Sequence, residues 1–254
     1  MKSFFSKKSI LRTMAVAAVC MLGTSNAQAQ EFTIQGDLVS SYVWRGIYQG
    51  GAASFQPTLG FSVGNFSLTA WGSTSLSESN KEIDLTAAYK FGEAGPTLSV
   101  ATLWWDGQAD VANGELTNNY FHFKSGDTGH HFEAGLAYTL PIEKFPLSIA
   151  WYTMFAGADR KTTDEGEEKQ AYSSYVELNY PFSVKGVDLN ATCGVVPYKT
   201  PQYNVNGFAV TNLALKATKA INFNDKFSLP IFVQAIWNPR MEDAHLVFGV
   251  TLRP

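Results

Sequence analysis

The fold class is decided by a stretch in the first half of the chain, Glu82-Ile83-Asp84-Leu85-Thr86-Ala87-Ala88-Tyr89-Lys90-Phe91. Apolar side chains stand at every second position, and charged or small residues fill most of the positions between them. Such alternation places the two sets on opposite faces of a β-strand. A stretch with the same pattern lies close to the C-terminus, Ala244-His245-Leu246-Val247-Phe248-Gly249-Val250-Thr251-Leu252.

The same pattern recurs from Gln30 onward, with no helical periodicity, and it predicts twelve strands. Their approximate ranges are 32–46, 54–63, 66–75, 81–91, 97–105, 131–140, 147–157, 171–180, 187–196, 207–221, 227–238 and 244–252. Short connections such as Gly64-Asn65 alternate with longer ones, of which 106–130 and 158–170 are the longest. An even number of alternating segments, with short turns at one end, is typical of a closed antiparallel outer-membrane β-barrel. The alternative is a secreted β-sandwich, whose aromatic residues fill a core between two sheets.

Composition excludes several other classes of protein. Charged residues make up 16% of the chain and aromatic residues 14%, which is the opposite of the balance that keeps a chain disordered. No run of 18 apolar residues is present, so a helical membrane protein is excluded. A net charge of −3 gives no electrostatic case for nucleic-acid binding.

The first 29 residues have the three parts of a secretory signal peptide. A basic start is followed by the apolar stretch 14–22 and by Ala27-Gln28-Ala29, with small residues at the two positions that signal peptidase reads. We therefore predict a cleaved signal peptide over 1–29, a barrel over 30–254 and export to the outer membrane of a Gram-negative bacterium. Without the four basic residues of 1–29, 15 basic residues face 22 acidic ones, a net charge of −7. Only Cys193 remains as a cysteine, so no internal disulfide is expected.

Aromatic residues predict two belts, as in barrels that face lipid. The outer belt is expected to hold tryptophans, namely Trp44, Trp104, Trp151 and Trp237. The inner belt is expected to hold tyrosines and phenylalanines, namely Tyr89, Phe91, Tyr138, Tyr180 and Phe182.

The first predicted strand carries a more specific signal. The segment 40–49 reads Ser-Ser-Tyr-Val-Trp-Arg-Gly-Ile-Tyr-Gln, which resembles the S-x-Y-x-x-R-G-x-x-Q opening of the TorF-like porin family. Later landmarks of the family resemble Gln56-Pro57, Trp71-Gly72-Ser73, the segment 82–85 and the segment 175–180. The chain departs from many outer-membrane barrels because it ends in Leu252-Arg253-Pro254 without a terminal aromatic residue, and Phe248 is the nearest candidate for that role. The resemblance implies a pore but no particular solute.

If the apolar face meets lipid, the alternate positions point into the lumen. They carry six acidic and three basic residues, namely Asp37, Arg45, Glu82, Asp84, Lys90, Glu133, Glu177, Asp188 and Lys216. We predict passive, weakly cation-preferring passage of small polar solutes or ions. A constriction is expected where Glu82 and Asp84 attract Arg45, and the candidate lumen residues are Arg45, Glu82, Asp84, Glu177, Asp37, Glu133 and Lys216. The alternative is a barrel plugged by its own salt bridges, with a structural role or with extracellular loops that bind at the cell surface.

An enzyme that modifies outer-membrane lipid is the rival from another class. No G-x-S-x-G motif is present, and His131 and His245 fall on predicted strands across the barrel from each other, so we predict neither an enzyme nor a cofactor. A loop metal site at 127–131 and calcium binding at 159–169 are alternatives that we do not adopt.

The expected partners are outer-membrane lipid, small solutes or ions and the barrel-assembly machinery, without nucleic acid. The sequence leaves the oligomeric state open.

Overall fold

The structure is a computed structural model that describes residues 30–50, 52–106, 119–124, 128–224 and 227–253. The predicted signal peptide and much of the predicted loop 106–130 lie outside these ranges. The described strands are β1 Gln30–Val39, β2 Tyr42–Trp44, β3 Ile47–Gly50, β4 Ser54–Val63, β5 Phe66–Ser75, β6 Lys81–Lys90, β7 Thr97–Trp105, β8 His130–Thr139, β9 Ser148–Gly157, β10 Arg160–Thr162, β11 Glu168–Gln170, β12 Ser174–Val184, β13 Val187–Val196, β14 Ala209–Asn224, β15 Phe227–Asn238 and β16 Asp243–Leu252.

Twelve of these strands form a closed antiparallel barrel, as the sequence predicts. Strand β1 closes it, because Leu38 pairs with Phe55 of β4 on one side and with Val250 of β16 on the other. Closure gives each of the twelve barrel strands two hydrogen-bonded neighbours and leaves no open edge in the barrel sheet. In the part of the chain that the structure describes, no helix is long and apolar enough to cross a membrane.

The two ends of the barrel differ, as predicted. At one end, tight turns join the strands: Gly64-Asn65 links β4 to β5, and Lys185-Gly186 links β12 to β13. Both residues of the second turn have positive φ, 49° and 75°, which is the geometry of the two-residue turns that suit twisted hairpins. The other end carries the longer loops, and we call it the loop end.

The apolar positions of the strands face outward. Leu85 and Leu246 are 38% and 56% exposed on this outer surface. Rings gather on it near the tight-turn end, where Tyr89 contacts Phe91 and Tyr180 contacts Phe182. An apolar outer band with interfacial aromatic residues is the surface of a barrel that spans a membrane.

The buried core lies inside the barrel, toward the loop end. It consists of three clusters: Val39, Ala214, Phe232, Ile236 and Val247 in the first, Tyr175, Val196, Tyr203, Val205 and Ala209 in the second, and Ala101, Leu103, Trp105 and Met154 in the third. Val43, Trp44 and Ile47 pack against these clusters. A short hairpin formed by β2 and β3 therefore sits among inward-facing wall residues.

The prediction of a strand over 32–46 is wrong in its second half. Strand β1 ends at Val39, and Ser40-Ser41 separates it from the hairpin β2–β3. The alternation continues through Tyr42 and Trp44, so the period alone gives no sign of the break. A second small hairpin, β10–β11, occupies the predicted loop 158–170.

The predicted tryptophan belt is wrong for Trp44 and Trp151, while Trp104 and Trp237 lie on the outer face at the loop end of their strands. Trp44 lies inside the barrel against Tyr203, and Trp151 stands near the beginning of β9 rather than at the loop end. Trp104 is 5% exposed because Tyr120 packs over it. Trp237 is exposed on the outer surface near the loop end of β15, as predicted.

Candidate functional site

The hairpin β2–β3 turns at Arg45-Gly46, where both residues have positive φ, 49° and 82°. A turn of this kind favours glycine at its second position. The fit at Gly46 is close, because a Cβ there would lie 1.9 Å from the backbone oxygen of Thr211 in β14. Asn238 of β15 donates a hydrogen bond from Nδ2 to the backbone oxygen of Gly46 at 3.0 Å. The turn is thus held against the inner wall of β14 and β15.

Arg45 anchors this turn to a second part of the wall. Its two terminal nitrogens each donate to one carboxylate oxygen of Glu133 in β8 at 2.7 Å. The side chains of Arg45 and Glu133 are 13% and 5% exposed. A bidentate pair of this kind is both directional and strong. The hairpin is therefore fixed to β8 as well as to β14 and β15.

Aromatic rings surround the guanidinium group of Arg45. Its central carbon lies 4.7 Å from the ring centre of Trp44, 4.5 Å from that of Tyr152 and 4.9 Å from that of Tyr175. Contacts over ring faces stabilise a cation that has lost its water. The rings thus offset part of the cost of placing Arg45 inside the barrel.

Tyr203 completes the enclosure from the loop between β13 and β14. Arg45 donates a hydrogen bond to its hydroxyl oxygen at 2.7 Å. Burial raises the pKa of the Tyr203 phenol above its usual range, although the positive charge of Arg45 acts in the other direction. The phenol therefore stays neutral at physiological pH and serves as an acceptor.

Other hairpin side chains reach the wall on several sides. Trp44 stacks on Tyr203 with ring centres 5.5 Å apart and meets Trp105 edge-on at 5.4 Å. Tyr42 contacts Trp71 of β5 at 5.6 Å. The hairpin thus extends across the lumen at the loop end.

A polar cavity of about 200 Å³ remains between the hairpin and the wall formed by β4 to β7. Glu82 lines it and is 2% exposed. Neither carboxylate oxygen of Glu82 receives a hydrogen bond of normal geometry from the described residues. Asp84 follows two residues later on the same face of β6, and its Oδ1 is also buried without such a bond.

The remaining predicted lumen residues, Glu177, Lys216 and Asp37, are partly exposed. Glu177 accepts hydrogen bonds from the Tyr175 hydroxyl at 2.8 Å and from Asn179 Nδ2 at 2.6 Å. Lys216 lies over the ring of Phe232, 3.8 Å from its centre. Asp37 is half-buried on β1. These inward-facing charged groups are therefore reachable by water.

The structure brings the seven predicted lumen residues into the barrel interior but does not gather them into one constriction. The expected attraction of Arg45 to Glu82 and Asp84 is replaced by the ion pair with Glu133, two strands further round the barrel. The reason is that Arg45 is carried by the hairpin and not by the wall. Sequence reasoning missed Tyr203, the acceptor of an Arg45 hydrogen bond, because it lies in a loop. The dipeptide Arg45-Gly46 was a turn signal that could have indicated the hairpin.

The proposed metal loop is only partly described, because Asp127 lies outside the described residues. Both ring nitrogens of His130 have protein partners, since Nδ1 lies 2.6 Å from Thr102 Oγ1 and Nε2 lies 2.6 Å from the backbone oxygen of Tyr120. Within the described ranges, no three histidine, cysteine or acidic residues form a group that could hold a metal ion.

The fold and its apolar outer surface define a membrane-spanning β-barrel. No family model and no curated relative matches the chain. Among solved structures, it is similar to an outer membrane channel from Pseudomonas putida F1, with 10% identity and a TM-score of 0.42 over 90% of this chain and 97% of that one. It is also similar to the translocator domain of the autotransporter NalP from Neisseria meningitidis, with 12% identity and a TM-score of 0.39 over 96% and 94%. A third is a bacterial polysaccharide outer membrane secretin, with 11% identity and a TM-score of 0.37 over 91% and 100%.

Proposed function

We propose that the protein is an outer-membrane channel for small polar solutes or ions, in which the hairpin β2–β3 restricts the lumen. The observation that carries this proposal is the bidentate ion pair between Arg45 on the hairpin and Glu133 on the wall. A fixed internal segment narrows a twelve-stranded barrel, which by strand number lies between filled eight-stranded barrels and open sixteen-stranded ones. The resemblance to the TorF-like porin family supports a pore, and its Arg-Gly signature falls on the turn of this hairpin.

Weak preference for cations is part of the proposal. Inward-facing acidic residues outnumber basic ones, and Arg45 is neutralised by Glu133. Glu82 and Asp84 place two carboxyl groups beside the hairpin, and the polar cavity lined by Glu82 is the space that remains on that side. Carboxylates in a water-filled pore concentrate cations, and salt screens this effect.

Single-channel conductance of the refolded protein in planar bilayers tests the proposal. We expect a small conductance with weak cation preference at low salt. Replacing residues 43–49 by a short Gly-Ser linker removes the turn and should raise the conductance several-fold. The matched control replaces residues 161–169 of the β10–β11 hairpin in the same way, which should leave the conductance unchanged. Equal conductance of the wild type and the 43–49 variant would contradict a restricting role for the hairpin.

A closed barrel that acts through its surface loops is the second candidate. It is favoured by the three buried clusters that fill the interior near the loop end. If the wild type and the 43–49 variant are both silent in bilayers, while both show the heat-modifiable migration of a folded barrel, this second function replaces the channel.

A further inference from the structure

We propose that the cavity beside Glu82 binds a small organic cation through a primary ammonium group. The proposal rests on the proposed function in one respect, since it names the class of solute that enters the channel. Binding itself is a separate property of the cavity and is measured without conduction. Short alkylammonium ions are the class of ligand that we infer.

The cavity is built from both the hairpin and the wall. Tyr42, Gln49 and Gly50 line it from the hairpin side. The wall contributes Ser54, Ser73, Ser75, Asn80, Glu82 and Trp105. All of these wall positions lie toward the loop end of their strands or in the adjoining loops, so the cavity faces the side from which an external solute would arrive. Its volume of about 200 Å³ lies below the usual range for drug-sized ligands and suits a molecule of a few heavy atoms.

Glu82 gives the cavity its chemical preference. It is almost fully buried, yet no described residue forms an ion pair with it. The nearby cations have other partners, because Arg45 pairs with Glu133 and Lys81 lies 3.7 Å from Asp106 Oδ2 at the rim. A buried carboxylate without an ion-pair partner is costly. An ammonium group supplies both the missing positive charge and several N–H donors.

The remaining lining favours an ammonium group over other ligands. Serine hydroxyls and the Gln49 amide offer neutral acceptors, and the aromatic residues Tyr42 and Trp105 also line the cavity. Asp84 adds a second carboxylate deeper in the barrel on the same face of β6. The described residues supply no group of three metal-ligating side chains here, which argues against a tightly bound divalent metal.

Isothermal titration calorimetry on the refolded barrel in zwitterionic micelles tests the proposal, with ethylammonium chloride as the probe. We expect saturable binding by the wild type and at least a ten-fold loss of affinity in Glu82→Gln. The matched control is Glu31→Gln, which removes the same charge from an exposed position at the opposite end of the barrel and should leave binding unchanged. Heat-modifiable migration confirms that each variant is folded.

Three parallel titrations define the class of ligand. Ethanol has the size of the probe without its charge, sodium chloride has the charge without N–H donors, and glucose presents hydroxyl groups. The proposal is overturned if any of them binds as well as ethylammonium, if the wild type does not bind the probe, or if Glu82→Gln binds it unchanged. Conductance of the same preparations separates the two ideas, since binding without conductance refutes only the channel, and conductance without binding refutes only the ammonium site.

Discussion

Arg45 is the residue on which the position of the hairpin depends, because among the described residues Glu133 is the one that forms a close ion pair with it. Removing one partner of a buried ion pair leaves the other charge uncompensated, at a cost of about 3–5 kcal/mol. We therefore expect Arg45→Ala to lower the free energy of unfolding by an amount in this range. Denaturant unfolding followed by tryptophan fluorescence measures it.

A double variant provides the control for Arg45. Arg45→Met combined with Glu133→Leu removes both charges and keeps much of the volume, so most of the lost stability should return. If Arg45→Ala is as stable as the wild type, or the double variant is less stable than Arg45→Ala, the ion pair does not anchor the hairpin.

Gly46 makes a second prediction at the scale of a single residue. Its φ is 82°, and an added methyl group would collide with the Thr211 backbone oxygen. Gly92 has a similar φ of 72° and open space around it. Both Gly→Ala variants should lose about 1–2 kcal/mol to the backbone conformation. Only Gly46→Ala should also displace the turn, which would show as a larger single-channel conductance than that of Gly92→Ala.

Whether a strand residue faces the lumen or the lipid could be predicted from the sequence, but the ion-pair partner of Arg45 could not. The period of two placed Glu82, Asp84 and Glu133 inside the barrel because neighbouring side chains of a strand point to opposite faces. The partner of Arg45 depends on where the chain leaves the wall. That departure at Ser40-Ser41 carries neither glycine nor proline, and the apolar residues around it keep the same alternation.

At the scale of elements, long strands were predictable because each is constrained twice, by its apolar outer face and by two neighbours. Even the loosely alternating segments 97–105 and 207–221 correspond to strands, β7 and β14. The hairpin β2–β3 has no such constraint, since tertiary packing alone decides that it enters the lumen. Its neighbours include Tyr203, which lies far along the chain, and contacts at such separation leave no periodic trace in sequence.

Strand β6 offers a test of the inner and outer faces. Leu85 is on the outer surface, while Thr86 is half-buried and faces inward beside Ala101. An arginine on the lipid face near the middle of the bilayer costs about 2–4 kcal/mol. Leu85→Arg should therefore destabilise the barrel refolded in lipid vesicles by this amount, and Thr86→Arg should cost less because its charge can reach lumen water. Equal losses in the two variants would contradict the assignment of faces.

The whole molecule combines two kinds of stabilisation. The wall is stabilised by hydrogen bonds that closure leaves complete, and it uses lipid as the partner of its outer face. The interior is stabilised by buried clusters that resemble a small protein core and include the hairpin. This division explains how a barrel in which Cys193 is a free cysteine is stabilised without an internal disulfide. It also separates a rigid wall from an internal segment that can be altered without opening the sheet.

The orientation of the barrel in the membrane is the last prediction, and it follows from the difference between its ends. Tight turns are typical of the periplasmic end and longer loops of the extracellular end. Asn65 lies in the β4–β5 turn and Glu165 lies between β10 and β11 at the loop end, and both are exposed. In a Cys193→Ser background, a maleimide carried on a large polyethylene glycol should label Glu165→Cys in intact cells. It should label Asn65→Cys only after the outer membrane is disrupted, and the reverse pattern would show that the loop end faces the periplasm.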